Sequence, residues 1–254
     1  MTANSIVYTS VGFVVAADGR CRSEEPASKQ ERATDCAQKI FSIENKDKSL
    51  AYPVSGFAFT EDGKFEVAGE ASAIALALAN REFRTSQIYF AEFCRRLRHA
   101  FNAAIKDGRI DEFPPNEHLP LVDRNTLCRI FVVGYFKTQP AWVIAKFSHE
   151  EKQITFNLDP VELVLGRAST MGSPVISKLL VDRDERFAQY AKQLTRNSSI
   201  DDAVEYARGF IEACSTPLAA KLDPICQSIG GHIHVAEITP THGFRWRTPP
   251  IAAH

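Results

Sequence analysis

The sequence predicts an α+β protein, a four-layer α-β-β-α sandwich in which two antiparallel β-sheets are flanked by helix pairs. Three observations predict it. Short apolar runs bounded by turn residues recur up to Val67, helical periodicity holds from Glu70 to Lys106, and the same succession then repeats with strands from Leu127, helices after Ser173 and a closing strand before Pro240. A sheet can bury one face against another sheet and the other against helices, so this order fits two stacked sheets with helices outside. At 254 residues the chain is long enough for such a core, and we expect one domain over 1–254 with a Pro-containing tail at 240–254.

Taken in order, Ser5-Ile6-Val7-Tyr8 and Phe13-Val14-Val15-Ala16-Ala17, joined by Thr9-Ser10-Val11-Gly12, read as a β-hairpin. Cys21 to Cys36 is polar, has no consistent apolar period and reads as a loop. Ile40 to Ile43 and Leu50 to Phe57 are the next strands, separated by a charged turn, and Asp62-Gly63 marks a further turn between short strands at 57–59 and 65–67. Strong helix formers run from Glu70 to Phe83 and from Gln87 to Lys106. In the second of these Ile88, Phe90, Phe93, Leu97, Phe101 and Ile105 recur at helical spacing as a core stripe, and Asp107-Gly108 supplies a stop. Phe113-Pro114-Pro115-Asn116 is a linker. Runs at 127–136, 141–147, 154–156 and 163–166, joined by short turns, read as an antiparallel meander. Ser173 can cap a helix whose first position suits Pro174, a helical pattern follows near Asp184 to Leu194, and Ser199-Ile200-Asp201-Asp202 opens another through Cys214. His232 to Thr239 closes the fold.

Composition excludes several functions. Lysine and arginine number 30 against 31 acidic residues, a formal net charge of −1, and no part of the chain is strongly basic, so nucleic acid is not an expected partner. No window reaches the roughly 18 apolar residues of a membrane span, and the first residues lack the basic and apolar regions of a signal peptide. A cytoplasmic protein with no membrane partner is expected. The six cysteines form no Cys-x-x-Cys pair and read as buried free thiols. His232-x-His234 puts two imidazoles on one face of a strand, a spacing able to ligate a metal, but no third ligand stands nearby; neither a metal nor a cofactor is expected.

The stretch richest in chemistry is Phe13 to Lys39. An apolar strand ends in Asp18-Gly19-Arg20, and Lys39-Ile40 follows beyond the polar loop. A carboxylate and two cations at strand ends can form a partly buried, mutually neutralising cluster, or remain a surface acid with two solvated bases. The run Gly12-Phe13-Val14-Val15-Ala16-Ala17-Asp18-Gly19-Arg20 resembles the second strand of proteasome β subunits, which reads Gly-Val-Val-Leu-Ala-Ala-Asp-Ser-Arg. Lys39-Ile40 is similar to the Lys-Ile/Val one loop later, Val54-Ser55-Gly56 to the Ala/Ser-Gly element before the first helix, and Gly230-Gly231-His232-Ile233-His234-Val235-Ala236-Glu237-Ile238 to the family's closing strand. These elements, in order across nearly the whole chain, identify a resemblance to the N-terminal-nucleophile hydrolases of the proteasome β-subunit type.

That resemblance implies a threonine-type peptidase acting on peptides or unfolded protein and assembling as a homo-oligomer. A terminal threonine attacks the scissile carbonyl while its own α-amino group, with an intrinsic pKa of about 8, takes the proton. By the same resemblance Thr2, exposed by Met1 removal, is the nucleophile, and Lys39 supplies positive potential. Asp18 and Arg20 hold the lysine, the Gly56 N–H faces the oxyanion, and Asp223 and Ser228 steady the terminus. Two registers remain open: counting back from Asp18 without a gap gives Thr2, whereas pairing Ile6-Val7 with the family's first strand puts Asn4, which cannot act, in that place. Arg167 in Leu165-Gly166-Arg167 stands roughly where the family has a serine after glycine. The alternative function is a non-catalytic subunit acting as an assembly or binding module.

Overall fold

The computed structural model describes residues 2–24, 31–60, 63–110, 124–150 and 153–251, apart from the side chains of 22–24 and 31–33. Met1, Asp62 of the expected turn, the linker at 113–116 and the last three residues of the tail lie outside the described residues. Two five-stranded antiparallel sheets organise the fold. In the first, β1 (Asn4–Tyr8) and β2 (Phe13–Asp18) form the expected hairpin, closed where the Thr9 hydroxyl donates to the Gly12 carbonyl at 3.0 Å. β11 (Ile233–Thr239) pairs with the other edge of β2, β12 (Gly243–Thr248) with β11, and β10 (Arg167–Met171) with β1, giving the order β10-β1-β2-β11-β12. The second sheet runs in sequence order through β5 (Ile40–Asn45), β6 (Lys48–Gly56), β7 (Thr126–Phe136), β8 (Gln139–Glu150) and β9 (Gln153–Pro160).

Strand β2 is apolar at every position before Asp18 because both of its faces are buried. Phe13, Val15 and Ala17 enter a cluster with Val133 and Trp142 of the second sheet, while Val14 and Ala16 enter another with Ile176 of α3 (Pro174–Val181) and Phe210 of α4 (Ile200–Cys214). A third cluster joins the far side of the second sheet to α1 (Val67–Leu78) and α2 (Ser86–Lys106), where Phe90, Phe93, Leu97 and Phe101 form the buried stripe expected of them. Local signals set the helix ends. Thr85 caps α2, Ser173 caps α3 ahead of Pro174, and Ser199 with Asp202 forms a capping box on α4.

Several elements differ from expectation. The loop at Cys21 to Cys36 contains a two-stranded hairpin, β3 (Cys21–Glu24) with β4 (Glu31–Thr34), which belongs to neither main sheet and so needs no apolar face. The strand expected at 163–166 is instead a turn, and its successor β10 joins the first sheet rather than the meander. The pattern near Asp184 yields only a 3-10 turn, Glu185–Tyr190, and the expected short strands around 57–67 reduce to a single bridge between Phe59 and Glu66. The Pro-containing tail includes β12. No helix among the described residues is long and apolar enough to cross a membrane.

Candidate active site

The geometry of the site follows from the β1–β2 register. Asn4 lies opposite Ala17, and the pairing continues one step further: the Asp18 N–H donates to the Ala3 carbonyl at 3.1 Å and the Ala3 N–H donates to Asp18 Oδ1 at 2.9 Å. Asn4 is therefore the first residue of β1, with its side chain buried. Thr2, 6% exposed, sits one residue beyond, on the border of two cavities of about 650 and 420 Å³ that both also reach Gly56.

Asp18 is fully buried and carries the densest set of contacts. Its Oδ1 faces Lys39 Nζ at 3.0 Å, and its Oδ2 accepts from the Gly230 N–H at 3.2 Å and the Arg20 N–H at 3.3 Å. Burial pushes the carboxyl above the usual carboxylate range, opposed first by the Lys39 charge and then by the hydrogen bonds from Lys39, Ala3 and Gly230. Lys39 also donates to the Arg20 carbonyl, so its ammonium is fixed from two sides. The guanidinium of Arg20 does not join this pair. It forms a fork with Asp35, Nε to Oδ1 at 2.8 Å and one terminal nitrogen to Oδ2 at 3.2 Å, and gives its remaining bond to the Ile229 carbonyl at 3.3 Å. It lies so close under Gly230 that a Cβ there would come within 2.9 Å of the guanidinium carbon.

The remaining expected residues divide. Gly56 ends β6 with φ +94°, and a Cβ would meet the Leu127 carbonyl oxygen at 2.6 Å, so glycine is required where the strand passes Thr2. Asp223 is buried and its Oδ2 accepts from the Ser173 hydroxyl at 2.6 Å. The Ser228 hydroxyl is directed to the Ile225 carbonyl at 3.0 Å and is not brought to the Asp18 cluster. Arg167 begins β10 opposite Tyr8 and pairs with Glu162, whereas the serine following a glycine beside Thr2 is Ser173, after Gly172. In the sequence Ser173 is marked only as a helix cap, and no motif marks Asp35. His232 and His234 do share a side, with ring centroids 5.6 Å apart, but His234 is fully buried, and among the described residues no group of three or more ligating side chains could hold a metal.

Neither a family model nor a curated protein matches the chain. Among solved structures it is similar to Anbu (ancestral beta-subunit) from Yersinia bercovieri, at 12% identity and a TM-score of 0.52 over 97% of this chain and 87% of that one. It is similar also to the Gly-1 mutant of Anbu from Hyphomicrobium sp. strain MC1, at 13% identity and a TM-score of 0.57 over 100% and 88%. The family drawn from the motifs is thereby corrected. The chain's structural likeness is to Anbu proteins rather than to the proteasome β subunits that the Asp18, Lys39 and Gly230 motifs resemble, and at this identity the likeness carries the fold alone.

Proposed function

We propose that this chain is a threonine-type peptidase that cleaves peptides or unfolded protein with Thr2 as its N-terminal nucleophile after removal of Met1. One observation carries the reading: the fully buried Asp18 binds both the Lys39 ammonium and the Ala3 N–H, which sets the residue before Ala3 beside the cation and against two cavities. A buried ion pair contributes little net stability over a well-packed apolar pair, so its placement against an open cleft favours a chemical role. In the reaction, Thr2 Oγ1 bonds to the scissile carbonyl carbon and its proton passes to the Thr2 α-amino nitrogen. The carbonyl π electrons move to the oxygen, which the Gly56 N–H receives, and the C–N bond then breaks as the ammonium returns its proton to the leaving amine. Water attacks the resulting ester by the same route and frees Thr2. Lys39 lowers the energy of the negative charge that develops, Asp18 holds Lys39, and Arg20 acts as a positioning residue through its backbone. Asp223 and Ser228 steady the segment next to the terminus, with Ser173 as the partner of Asp223.

The three apolar clusters support an α-β-β-α order of layers within one domain, and the exposed side chains of Leu76 and Val181, 78% and 72% accessible, support self-association. The test is intact mass with N-terminal sequencing, followed by treatment with a peptide epoxyketone. The expected results are a mature chain beginning at Thr2, a single covalent adduct, and loss of peptide cleavage by about a thousandfold or more in Thr2→Ala. Retained Met1 in native protein that forms no adduct would sink the peptidase reading and leave the assembly module.

A further inference from the structure

Asp35 stands where the ends of three strands meet. It follows β4, and its carbonyl oxygen accepts from the His232 N–H at 2.7 Å, just ahead of β11. Gly231, at φ +74°, passes so close that a Cβ there would come within 2.5 Å of that oxygen, and a Cβ on Gly19, just after β2, within 2.6 Å. The Asp35 carboxylate receives both arms of the Arg20 fork, and the same guanidinium reaches the Ile229 carbonyl. The main chain of Arg20 in turn touches both members of the buried pair. Its N–H donates to Asp18 Oδ2 and, at 2.8 Å, to the Gly230 carbonyl, and its own carbonyl accepts from Lys39 Nζ.

The geometry points to Asp35 as a positioning residue that fixes the Lys39 ammonium beside Thr2, acting through Arg20. Lys39 has two fixed acceptors among the described residues, Asp18 Oδ1 and the Arg20 carbonyl. Two acceptors set the direction of an ammonium, whereas one leaves it free to swing on its four-carbon stem. Arg20 lies between β2 and β3, so no ladder of either main sheet sets its carbonyl, and the fork to Asp35 ties the residue to the end of β4 instead. The Asp35 side chain is 52% accessible and that of Arg20 27%, so the pair adds little to stability, yet a bidentate fork fixes direction as well as distance. Without it the second acceptor drifts and Nζ drifts with it. A misplacement of about 1 Å at a reacting centre costs up to about a hundredfold in rate. A pair that only stapled the hairpin would leave both Lys39 and the rate untouched.

For its effect on rate this inference rests on the peptidase reading, and its test separates the two. Cleavage of a fluorogenic peptide amide is measured in the native protein, Asp35→Asn, Asp35→Glu, Arg20→Ala and the double variant Asp35→Asn/Arg20→Ala. In the same proteins, labelled with nitrogen-15 in lysine, the ammonium signal of Lys39 is followed by NMR and assigned by its absence in Lys39→Arg. Asparagine matches aspartate in size at a half-exposed position, so the variant folds. Asp35→Asn is expected to lower kcat by about tenfold or more with KM within about twofold of native, and to shift or broaden the Lys39 signal. Asp35→Glu, which keeps the carboxylate, should recover most of kcat. Because Asp35 works through Arg20, the double variant should be no slower than Arg20→Ala alone. A Lys39 signal unaltered in Asp35→Asn, a kcat within about twofold of native, or additive losses in the double variant overturns the inference while the peptidase reading stands. If the native protein cleaves nothing and forms no epoxyketone adduct, a Lys39 signal altered in Asp35→Asn upholds the fixing of Lys39 and removes the peptidase, and an unaltered one removes both.

Discussion

Asn4, Ala17 and His234 stand side by side across β1, β2 and β11, and the register turns all three toward the core between the sheets. The Asn4 amide is buried with no hydrogen-bond partner among the described residues, and the His234 ring is fully buried beside the Ala37 backbone. An unpartnered buried amide costs roughly 1–3 kcal/mol in desolvation. For His234, burial foremost, with the neighbouring His232 and Lys39 charges, pushes the imidazole down to about 4. The sign follows directly: between about pH 6.5 and 4 the unfolded chain binds a proton that the folded chain refuses, so folding stability falls as pH drops through that window. The loss reaches on the order of 3 kcal/mol at its acid end. Urea unfolding at several pH values is expected to show this slope, and His234→Leu to flatten it; an unchanged slope in the variant would mean that the imidazole is not the titrating group. The same scale explains what could be read of the site in advance. Asp18 and Lys39 were legible because each adjoins an apolar strand that had to be buried. Ser173 was not, since its meaning lies in a carboxylate 50 residues away, and the pairing of Arg20 with Asp35 depends on a hairpin that no periodicity announced.

Elements with both a strong pattern and a local stop signal were recovered from sequence. β1, β2, α2 and α4 each combine a run of one periodicity with a turn or cap that ends it. β10 and β12 lack that combination. Arg-Ala-Ser-Thr-Met has little apolar content, and β12 alternates half-buried and exposed residues at a sheet edge, so both owe their conformation to the strand beside them. The junction between β10 and α3 shows how one residue can serve two elements. Ser173 Oγ accepts from the Ile176 N–H at 3.0 Å as the helix cap and donates to Asp223 Oδ2 at 2.6 Å, tying α3 to the segment that leads into β11. Ser173→Ala removes both bonds and leaves a buried carboxylate oxygen short of a donor. A destabilisation of about 2–3 kcal/mol is expected, read as a lower urea midpoint with unchanged slope, and Ser173→Thr should recover most of it. A loss below about 0.5 kcal/mol, the level of an ordinary surface change, would show that neither bond matters to the fold.

Across the whole molecule, Phe13 is one of the side chains through which the two sheets meet. It is fully buried, stacks on Tyr8 of its own hairpin with centroids 4.6 Å apart, and meets Tyr135 and Trp142 of the second sheet edge-on at 5.8 and 6.2 Å. If the chain is one domain, as its length and element order led us to expect, the sheets share this contact in every folded molecule and cannot melt apart. The chain offers a direct probe because its two tryptophans fall on different sheets, Trp142 on β8 and Trp246 on β12. In Trp246→Phe the fluorescence reports the second sheet, and in Trp142→Phe it reports the first. One cooperative unit requires that, in each variant, the fluorescence and far-ultraviolet circular dichroism transitions in urea coincide. Adding Phe13→Ala, which removes a buried ring, should then lower stability by about 3–5 kcal/mol in both backgrounds alike. A sheet that unfolded first would split the transitions in one background, and the Phe13→Ala cost would then appear only in the sheet that depends on the contact.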